Sequence, residues 1–215
     1  MPRTSLGQKL LLCSVLVGLS GLAVTPPAQA TTVGRLSTVQ MTDAAEYIVH
    51  GTVSDVWTEL DDGGMVWTKV QIEVQDAYKG DVGDTLVLSE AGGTYGSRNT
   101  MVEGVARFSA GEEILVFASE RGQGRIQPIA MSMGKYTVRL DPYTQQRIVQ
   151  RYAPDLNQRY DARFLPLPAE DQRVGFDDLV GSIQAHLDLG WDGKAIPGIP
   201  TERLYRTNKL QPGVK

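Results

Sequence analysis

The sequence predicts a mainly β protein: a small antiparallel barrel or sandwich with a short helix before it and a packing helix after it. Short runs rich in β-branched and aromatic residues recur at spacings of about 10 to 15 residues, which is typical of such folds. Glycine- and aspartate-rich turns separate these runs, and only two segments show helical periodicity. The composition, 41% hydrophobic and 21% charged, excludes a disordered, collagen-like or disulfide-scaffold protein.

The first thirty residues have the pattern of a Sec signal peptide. Arg3 and Lys9 precede an apolar run from Leu10 to Val24, and the segment ends in Ala28-Gln29-Ala30, which suits signal peptidase. The apolar run is shorter than the roughly 20 residues that cross a bilayer. We therefore expect cleavage after Ala30, export to the periplasm or the medium, and no transmembrane segment in the mature chain.

The single cysteine, Cys13, lies inside this leader. Leu12 stands directly before it, where a lipoprotein signal needs a small residue, so we interpret Cys13 as part of the signal peptide. The mature chain would begin at Thr31 and contain no cysteine. We expect neither disulfides nor thiol chemistry in it.

The charge of the chain argues against a nucleic-acid partner. Without Arg3 and Lys9, the 21 basic residues fall to 19, against 25 acidic ones. Basic side chains cluster only at 147–163 and 203–215, whereas nucleic-acid binding normally requires a basic stripe that neutralises phosphates. We interpret both clusters as solvated surface or tail.

A short leading helix is expected first. Four apolar residues between Leu36 and Ala45 recur at roughly helical spacing, and Ser37 or Thr38 can cap its start.

Two long antiparallel strands are expected next, over Tyr47–Thr58 and Met65–Tyr78, joined by the hairpin turn Asp61-Asp62-Gly63-Gly64. The second strand alternates strictly between an apolar and a polar face. Its apolar residues are Val66, Val70, Ile72 and Val74, and its polar residues are Lys69, Gln71, Glu73 and Gln75. This alternation predicts that the two strands form a ribbon with one buried face and one solvated face.

Five further short strands follow in the predicted order. They are Thr85–Ser89, Glu113–Ser119, Arg125–Met131, Lys135–Leu140 and Arg147–Tyr152. The near-continuous apolar content of Glu113–Ser119 indicates a central strand.

The segment Ala91–Ser97 is interpreted as a loop, because its three glycines permit positive φ. It lacks a Gly-Lys-Ser/Thr ending and opens no apolar-periodic helix, so we do not expect a phosphate cradle. Tyr95 offers a flat amphipathic surface and Arg98 a forked donor, and both residue types anchor interfaces. The candidate binding residues are therefore Gly92, Gly93, Tyr95 and Arg98. The alternative is that the glycines only turn the chain at a barrel corner.

A C-terminal helix is expected after a proline-punctuated connector. One apolar stripe runs through Phe176, Leu179, Val180, Ile183 and Leu187. Asp177 and Asp178 suit its first turn and Gly190 its end. The expected organisation is a signal peptide at 1–30, a β-barrel domain at 31–152, the connector and helix at 153–190, and an extended tail at 191–215.

No set of residues in the sequence indicates a catalytic site. The two histidines, His50 in the first strand and His186 near the end of the helix, are interpreted as ordinary half-buried residues. No glycine-flanked nucleophilic serine accompanies them. The expected mature chain has no cysteine and no paired-histidine motif for zinc, and the run Asp188–Gly193 lacks the oxygen ligands of a calcium loop. We expect no catalytic residue, no metal and no cofactor.

Three motifs carry a resemblance to known proteins. They are "hydrophobic-x-Gly-x-Val" at Val49–Val53, "Tyr-Lys-Gly" at Tyr78–Gly80, and "Phe-x-x-Gly-Glu-Glu-hydrophobic-Leu" at Phe108–Leu115. Over residues 36–140 the chain resembles a widespread group of uncharacterised secreted bacterial proteins. More distantly it resembles the netrin/tissue-inhibitor-of-metalloproteinase (TIMP) module, which implies a small OB-like barrel with flanking helices.

The distant resemblance also implies inhibition of metalloproteases. That family chelates the protease zinc with an N-terminal cysteine, and Thr31 stands at the expected terminus here.

The leading hypothesis is an exported, non-enzymatic protein that binds a protein or a surface glycan in the periplasm or outside the cell. The first alternative is an inhibitor or accessory factor of a secreted (metallo)protease, and the second is a small hydrolase that uses carboxylates the motifs do not flag. If the glycine loop is not the binding site, the solvated strand face bearing Lys69, Gln71 and Glu73 is the next candidate.

Overall fold

The computed structural model describes residues 36–151, 159–160, 166–167, 174–196 and 198–204. The expected signal peptide, Cys13, the expected terminus Thr31 and most of the connector lie outside the described residues. No helix in the part of the chain that the structure describes has the length and apolar character needed to span a bilayer.

The described elements make a mainly β protein with one helix near each end, as predicted. The helices are α1 (Thr38–Ala44) and α2 (Phe176–Leu189), and the strands in chain order are β1 (Tyr47–Leu60), β2 (Val66–Lys79), β3 (Thr85–Ala91), β4 (Gly93–Tyr95), β5 (Arg98–Thr100), β6 (Glu113–Arg121), β7 (Arg125–Pro128), β8 (Lys135–Leu140), β9 (Arg147–Gln150), β10 (Arg159–Tyr160), β11 (Pro166–Leu167) and β12 (Val174–Gly175).

The strand expected to reach Met131 ends earlier, at Pro128. Ala130 adopts a left-handed conformation with φ 49°, and residues Met131–Gly134 form a 3-10 turn. A left-handed residue reverses the extended path, so the strand cannot continue through it.

Helix α1 is fixed at both ends. At its start Ser37 and Gln40 form a capping box, in which the Gln40 amide donates to Ser37 Oγ at 3.2 Å and the Ser37 amide donates to Gln40 Oε1 at 2.9 Å. At its end the Lys79 ammonium donates to the carbonyl oxygens of Thr42 (2.6 Å) and Asp43 (3.4 Å). A cation from the sheet therefore satisfies carbonyls that the helix leaves without partners.

One antiparallel sheet organises the fold. Its strands are hydrogen-bonded in the order β12-β9-β8-β6-β1-β2-β3. Strand β7 pairs with the C-terminal half of β6, from Ala118 to Arg121. The β1–β2 pairing carries three register shifts, and such bulges increase the local twist and bend the strands.

The sheet carries a core cluster on each face, and the two clusters are buried by different means. Helices α1 and α2 cover one face, where Met41, Phe117 and Ile183 belong to one core cluster. The other cluster is built from β1, β2, β3 and β6. Its buried members are Val49, Val53, Val70, Ile72, Leu86, Leu88, Ile114, Val116 and Ala118. Because no described helix contributes to it, the sheet must curl to cover this face itself.

The curled sheet is open in its hydrogen bonding. Strand β3 lies alongside β7, but among the described residues no strand pairing joins their edges. The antiparallel architecture with two flanking helices is thus confirmed, whereas closure into a complete barrel is not seen.

The segments after β9 hold structure that the sequence did not predict. Within the connector, β10 pairs with β11. In the segment expected to be a tail, Ile196 and Leu204 are buried in the helix-covered core cluster, and residues 201–204 form a helical turn.

Candidate functional site

His50 lies between two carboxylates on the face that the helices cover. Its Nδ1 is 3.0 Å from Asp76 Oδ2, and its Nε2 is 2.8 Å from Glu113 Oε1. The imidazole is buried, while both carboxylates are substantially exposed. The expectation of an ordinary half-buried histidine is therefore wrong, because the sheet places one acidic side chain at each ring nitrogen.

The arrangement restricts what His50 can do. A neutral imidazole has a single N–H donor, so it can donate to only one of the carboxylates, whereas an imidazolium donates to both. In either form each ring nitrogen has a carboxylate oxygen of the protein as its direct neighbour. A general base needs a nitrogen free to take a proton from a reacting group, and His50 in this conformation offers none.

The polar cluster continues around the start of α2. The Phe176 ring packs on the imidazole with centroids 4.7 Å apart, and the Arg147 guanidinium lies 4.1 Å from the Phe176 ring centre. Arg147 also pairs with Asp177 at 3.1 Å. Burial, together with the nearby Asp76 carboxylate, raises the pKa of Tyr78 to about 12. His50 thus helps to hold the first turn of α2 on the sheet.

The His50 cluster does not have the geometry of a metal centre. Its two carboxylates lie at opposite edges of the imidazole ring, so a single ion could not reach both nitrogens' partners. Across the described residues, no three His, Cys, Asp or Glu side chains converge as a metal site requires. Asp192, in the run considered for calcium, instead accepts from the Lys194 amide (2.9 Å) and pairs with its ammonium (2.8 Å).

The second histidine fastens the other end of α2. His186 Nε2 is 2.9 Å from Asp43 Oδ1 of α1, and both side chains are largely buried. The two histidines of the chain therefore connect α2 to the sheet at its start and to α1 near its end.

The Gly-Glu-Glu motif sends its two carboxylates to opposite faces of β6. Glu113 pairs with His50, whereas Glu112 bonds to the Lys135 ammonium at 2.7 Å and to the Thr137 hydroxyl. Burial lowers the pKa of Lys135, and the bond to Glu112 opposes that shift. Both glutamates thus fix neighbouring strands, which gives the motif a structural role.

The four predicted binding residues are brought together, but in a hairpin and not in an open loop. Strands β4 and β5 pair across a tight turn, with Tyr95 opposite Arg98. Backbone pairing replaced the expected loop because Gly93–Tyr95 and Arg98–Thr100 satisfy each other's amides and carbonyls. The hairpin is tied to the long hairpin by Thr58 Oγ1, which donates to the Thr94 carbonyl (2.8 Å), and by Arg98, which donates to the Gly64 carbonyl (3.2 Å).

The two glycines serve the backbone of this hairpin. Gly92 has φ 94° and Gly93 has φ 129°, and a β-carbon on Gly93 would stand 2.6 Å from Thr68 Oγ1. No L side chain fits such a conformation and contact. Tyr95 and Arg98, by contrast, are exposed, Tyr95 to 45%. We name the surface formed by Leu60, Gly64, Tyr95 and Arg98 the hairpin end.

A second surface lies on the face of β1 and β2 that is turned away from the core cluster of Val53, Val70 and Ile72. Trp57 and Trp67 occupy the polar series of β1 and β2, since Trp57 pairs with Lys69 and Trp67 with Glu59. Neither tryptophan belongs to a core cluster. We name this surface the outer face and define it by Trp57, Trp67, Lys69, Gln71 and Val87. The alternation that placed Lys69 in solvent places Trp67 there as well, so this surface was within reach of sequence reasoning.

Glu90 is a buried carboxyl that no motif singled out. It follows Leu86 and Leu88 on the inner face of β3 and is 6% exposed. Its Oε1 has no hydrogen-bond partner among the described residues. Burial raises the pKa of Glu90 to about 8, opposed only by the amide of Ala106.

No protein-family model matches the chain, and no curated protein matches it. The function of the chain is therefore inferred from the geometry of these residues.

Proposed function

We propose that the mature chain is an exported binding protein that holds a protein or glycan partner at the hairpin end and performs no chemistry on it. The observation that carries the proposal is the exposed pair Tyr95 and Arg98, fixed in position by Thr58 and Gly64. A rigid aromatic side chain loses little entropy on binding, and an arginine fork offers several donors.

The exposed surroundings of this pair support the same function. Leu60, at the end of β1, is an exposed apolar side chain close to the turn that carries Gly64, to which Arg98 donates. Apolar and aromatic side chains with an arginine among them are the composition of interface centres.

Catalysis has weaker support in the described residues. The Asp76–His50–Glu113 cluster is the closest arrangement to an acid–base site, and it engages both imidazole nitrogens within the protein. Its contacts hold β1, β2, β6 and α2 together, which is a structural task.

The test is affinity capture from the secreting cell's envelope and medium, with the exported protein as bait. Tyr95→Ala with Arg98→Ala should weaken retention of the specific partner at least tenfold, while unfolding stays within ~0.5 kcal/mol of the parent because both side chains are exposed. A matched control is Tyr143→Ala with Arg139→Ala, which removes the same residue types from the exposed β8–β9 hairpin.

The outcome distinguishes the hypotheses. Equal retention by the folded hairpin-end variant and the control would place the partner elsewhere. A secreted protease as the captured partner would favour the inhibitor alternative. Turnover of a partner that a folded Glu113→Gln variant abolishes would favour the hydrolase that uses carboxylates.

A further inference from the structure

We propose that residues 101–107 form a flap over Glu90 that stays closed on the protonated carboxyl and opens locally when the carboxyl ionises. The inference goes beyond the proposed binding function and does not depend on what the hairpin end binds. It follows from the burial of Glu90, from the way the flap is attached to the sheet, and from the charges on the neighbouring elements.

Glu90 belongs to the strand at which the curled sheet stays open. This strand, β3, lies alongside β7, and no strand pairing joins the two among the described residues. Glu90 alternates with Leu86 and Leu88 on the inner face of β3 and is buried, and its Oε1 has no hydrogen-bond partner in the described part of the chain. A buried carboxylate without such partners is costly, so the closed fold accommodates Glu90 in its neutral form.

The flap covers Glu90 but is weakly built. No residue of the flap lies in a helix or strand. Single groups attach it to the fold: the Ala106 amide bonds to the Glu90 carboxyl, the Ser132 amide donates to the Gly104 carbonyl (2.9 Å), and the Lys135 ammonium donates to the Arg107 carbonyl. Because a segment held in this way opens at a lower free energy than a paired strand, the flap can move while the sheet stays folded.

The charged and titratable side chains on the elements beside Glu90 do not neutralise it. They are bonded elsewhere or exposed: Lys69 of β2 bonds to Ser89 (2.9 Å) on the outer face, Arg125 of β7 pairs with Asp61 (3.2 Å), and Tyr95 of β4 and the flap residues Glu103 and Arg107 are exposed. The pKa of Glu90 is accordingly raised by burial, and the Ala106 amide opposes the shift. An ionised Glu90 therefore gains its solvation from water, which requires the flap to open.

The direction of the pH dependence follows from the two states of the flap. With the flap closed, the pKa of Glu90 is about 8, whereas a solvated glutamate has an ordinary pKa of about 4.3. Below both values the carboxyl is protonated in either state, and opening does not depend on pH. Between them opening releases one proton to solvent, so the opening equilibrium constant rises by up to about tenfold per pH unit.

Amide hydrogen exchange of the exported protein, followed by NMR over the interval between the two pKa values, tests the flap. The amides of Ala106 and Ser132 report its opening, and the amides of β6 report unfolding of the sheet. After correction for the intrinsic exchange rate at each pH, the opening constants of both flap amides should rise by about tenfold per pH unit.

The same measurement separates local opening from unfolding of the whole domain. At any one pH the flap amides should have opening constants about a hundredfold larger than those of β6, because local opening costs less free energy than unfolding. Low concentrations of urea should increase the opening constants of the β6 amides but not those of the flap amides, since only unfolding exposes much new surface.

Two variants identify the titrating group. Glu90→Gln should make the opening constants of the flap amides independent of pH, because its side-chain amide does not ionise. The matched control is Glu103→Gln, at an exposed glutamate of the flap itself, which should keep the pH dependence of the parent. If Glu90→Gln does not fold, the comparison of flap and β6 amides in the parent and in Glu103→Gln still decides.

The inference is overturned if the flap amides open no more often than those of β6, or if their opening constants do not change with pH. It is equally overturned if folded Glu90→Gln keeps the pH dependence of the parent. Loss of the dependence in Glu103→Gln would contradict it as well, since an exposed carboxylate would then control the opening.

Discussion

The buried carboxyl of Glu90 makes the stability of the protein depend on pH. The unfolded chain ionises this carboxyl near the ordinary glutamate pKa of about 4.3, whereas in the fold its pKa is raised to about 8 by burial. Below both values the carboxyl is protonated in either state and its contribution to stability is complete. Between them unfolding releases a proton, so stability falls as pH rises toward 8.

Glu90→Gln should remove this dependence. We expect the variant to gain ~1 to 3 kcal/mol of stability at pH 8 and little at pH 4.5, because the neutral amide has no charge to bury. Urea unfolding at the two pH values measures the difference. Glu73→Gln, at an exposed glutamate of β2, is the control and should follow the parent. Parallel pH profiles for parent and Glu90→Gln would mean that Glu90 is ionised in the folded state at neutral pH.

The sequence could have placed Glu90 but not its consequences. Leu86, Leu88 and Glu90 alternate along one strand, so the period of two puts the carboxyl on the apolar face. Whether Glu90 is covered depends on the segment around Ala106, which comes close to the Glu90 carboxyl only in the folded protein.

At the scale of elements, the turn after β2 explains the Tyr-Lys-Gly motif. Tyr78 packs against the helix-covered core, and Lys79 satisfies the last carbonyls of α1. Gly80 has φ 87°, and a β-carbon there would stand 2.6 Å from the Glu46 carbonyl oxygen and from Tyr47 Cδ1. The motif therefore joins the sheet to α1 and requires glycine for its backbone.

Gly80→Ala should destabilise the protein by ~2 to 4 kcal/mol, since it combines a positive φ with a steric overlap. Gly83→Ala lies in the same turn, where an added β-carbon meets nothing within 4 Å, and should change stability by no more than ~1 kcal/mol, toward stabilisation. Thermal unfolding of the two variants tests the pair. Similar losses from both would show that the turn tolerates a side chain at neither position.

At the scale of the molecule, the core draws on the end of the described chain. Ile196 and Leu204 are buried with residues of α1, α2 and β6. A segment with little periodicity of its own thus contributes to the largest core cluster.

Leu204→Ala should cost ~2 to 5 kcal/mol, the range for emptying a fully buried leucine site. Leu189→Ala is the matched control, because Leu189 is 84% exposed at the end of α2, and it should change stability by less than ~0.5 kcal/mol. Chemical denaturation gives both values. If the two leucines proved equally dispensable, residues 198–204 would not be part of the stabilising core.

The sequence by itself determined the features that depend on neighbours along the chain. The period of two in β2, the capping residues of α1 and the aspartates that open α2 each act within a few residues, so pattern and propensity suffice to predict them. The mainly β class follows from the same local signals.

Only the tertiary structure decided which residues meet across the sheet. Asp76 and Glu113 reach His50 over separations of 26 and 63 residues, and that meeting depends on the register of three strands, which a slip of one residue would abolish. The expected loop likewise became a hairpin once the long strands offered it carbonyl and hydroxyl partners. Curvature set by the bulges between β1 and β2 then decided that the inner face of these two strands is core while their outer face, with its two tryptophans, remains partly exposed.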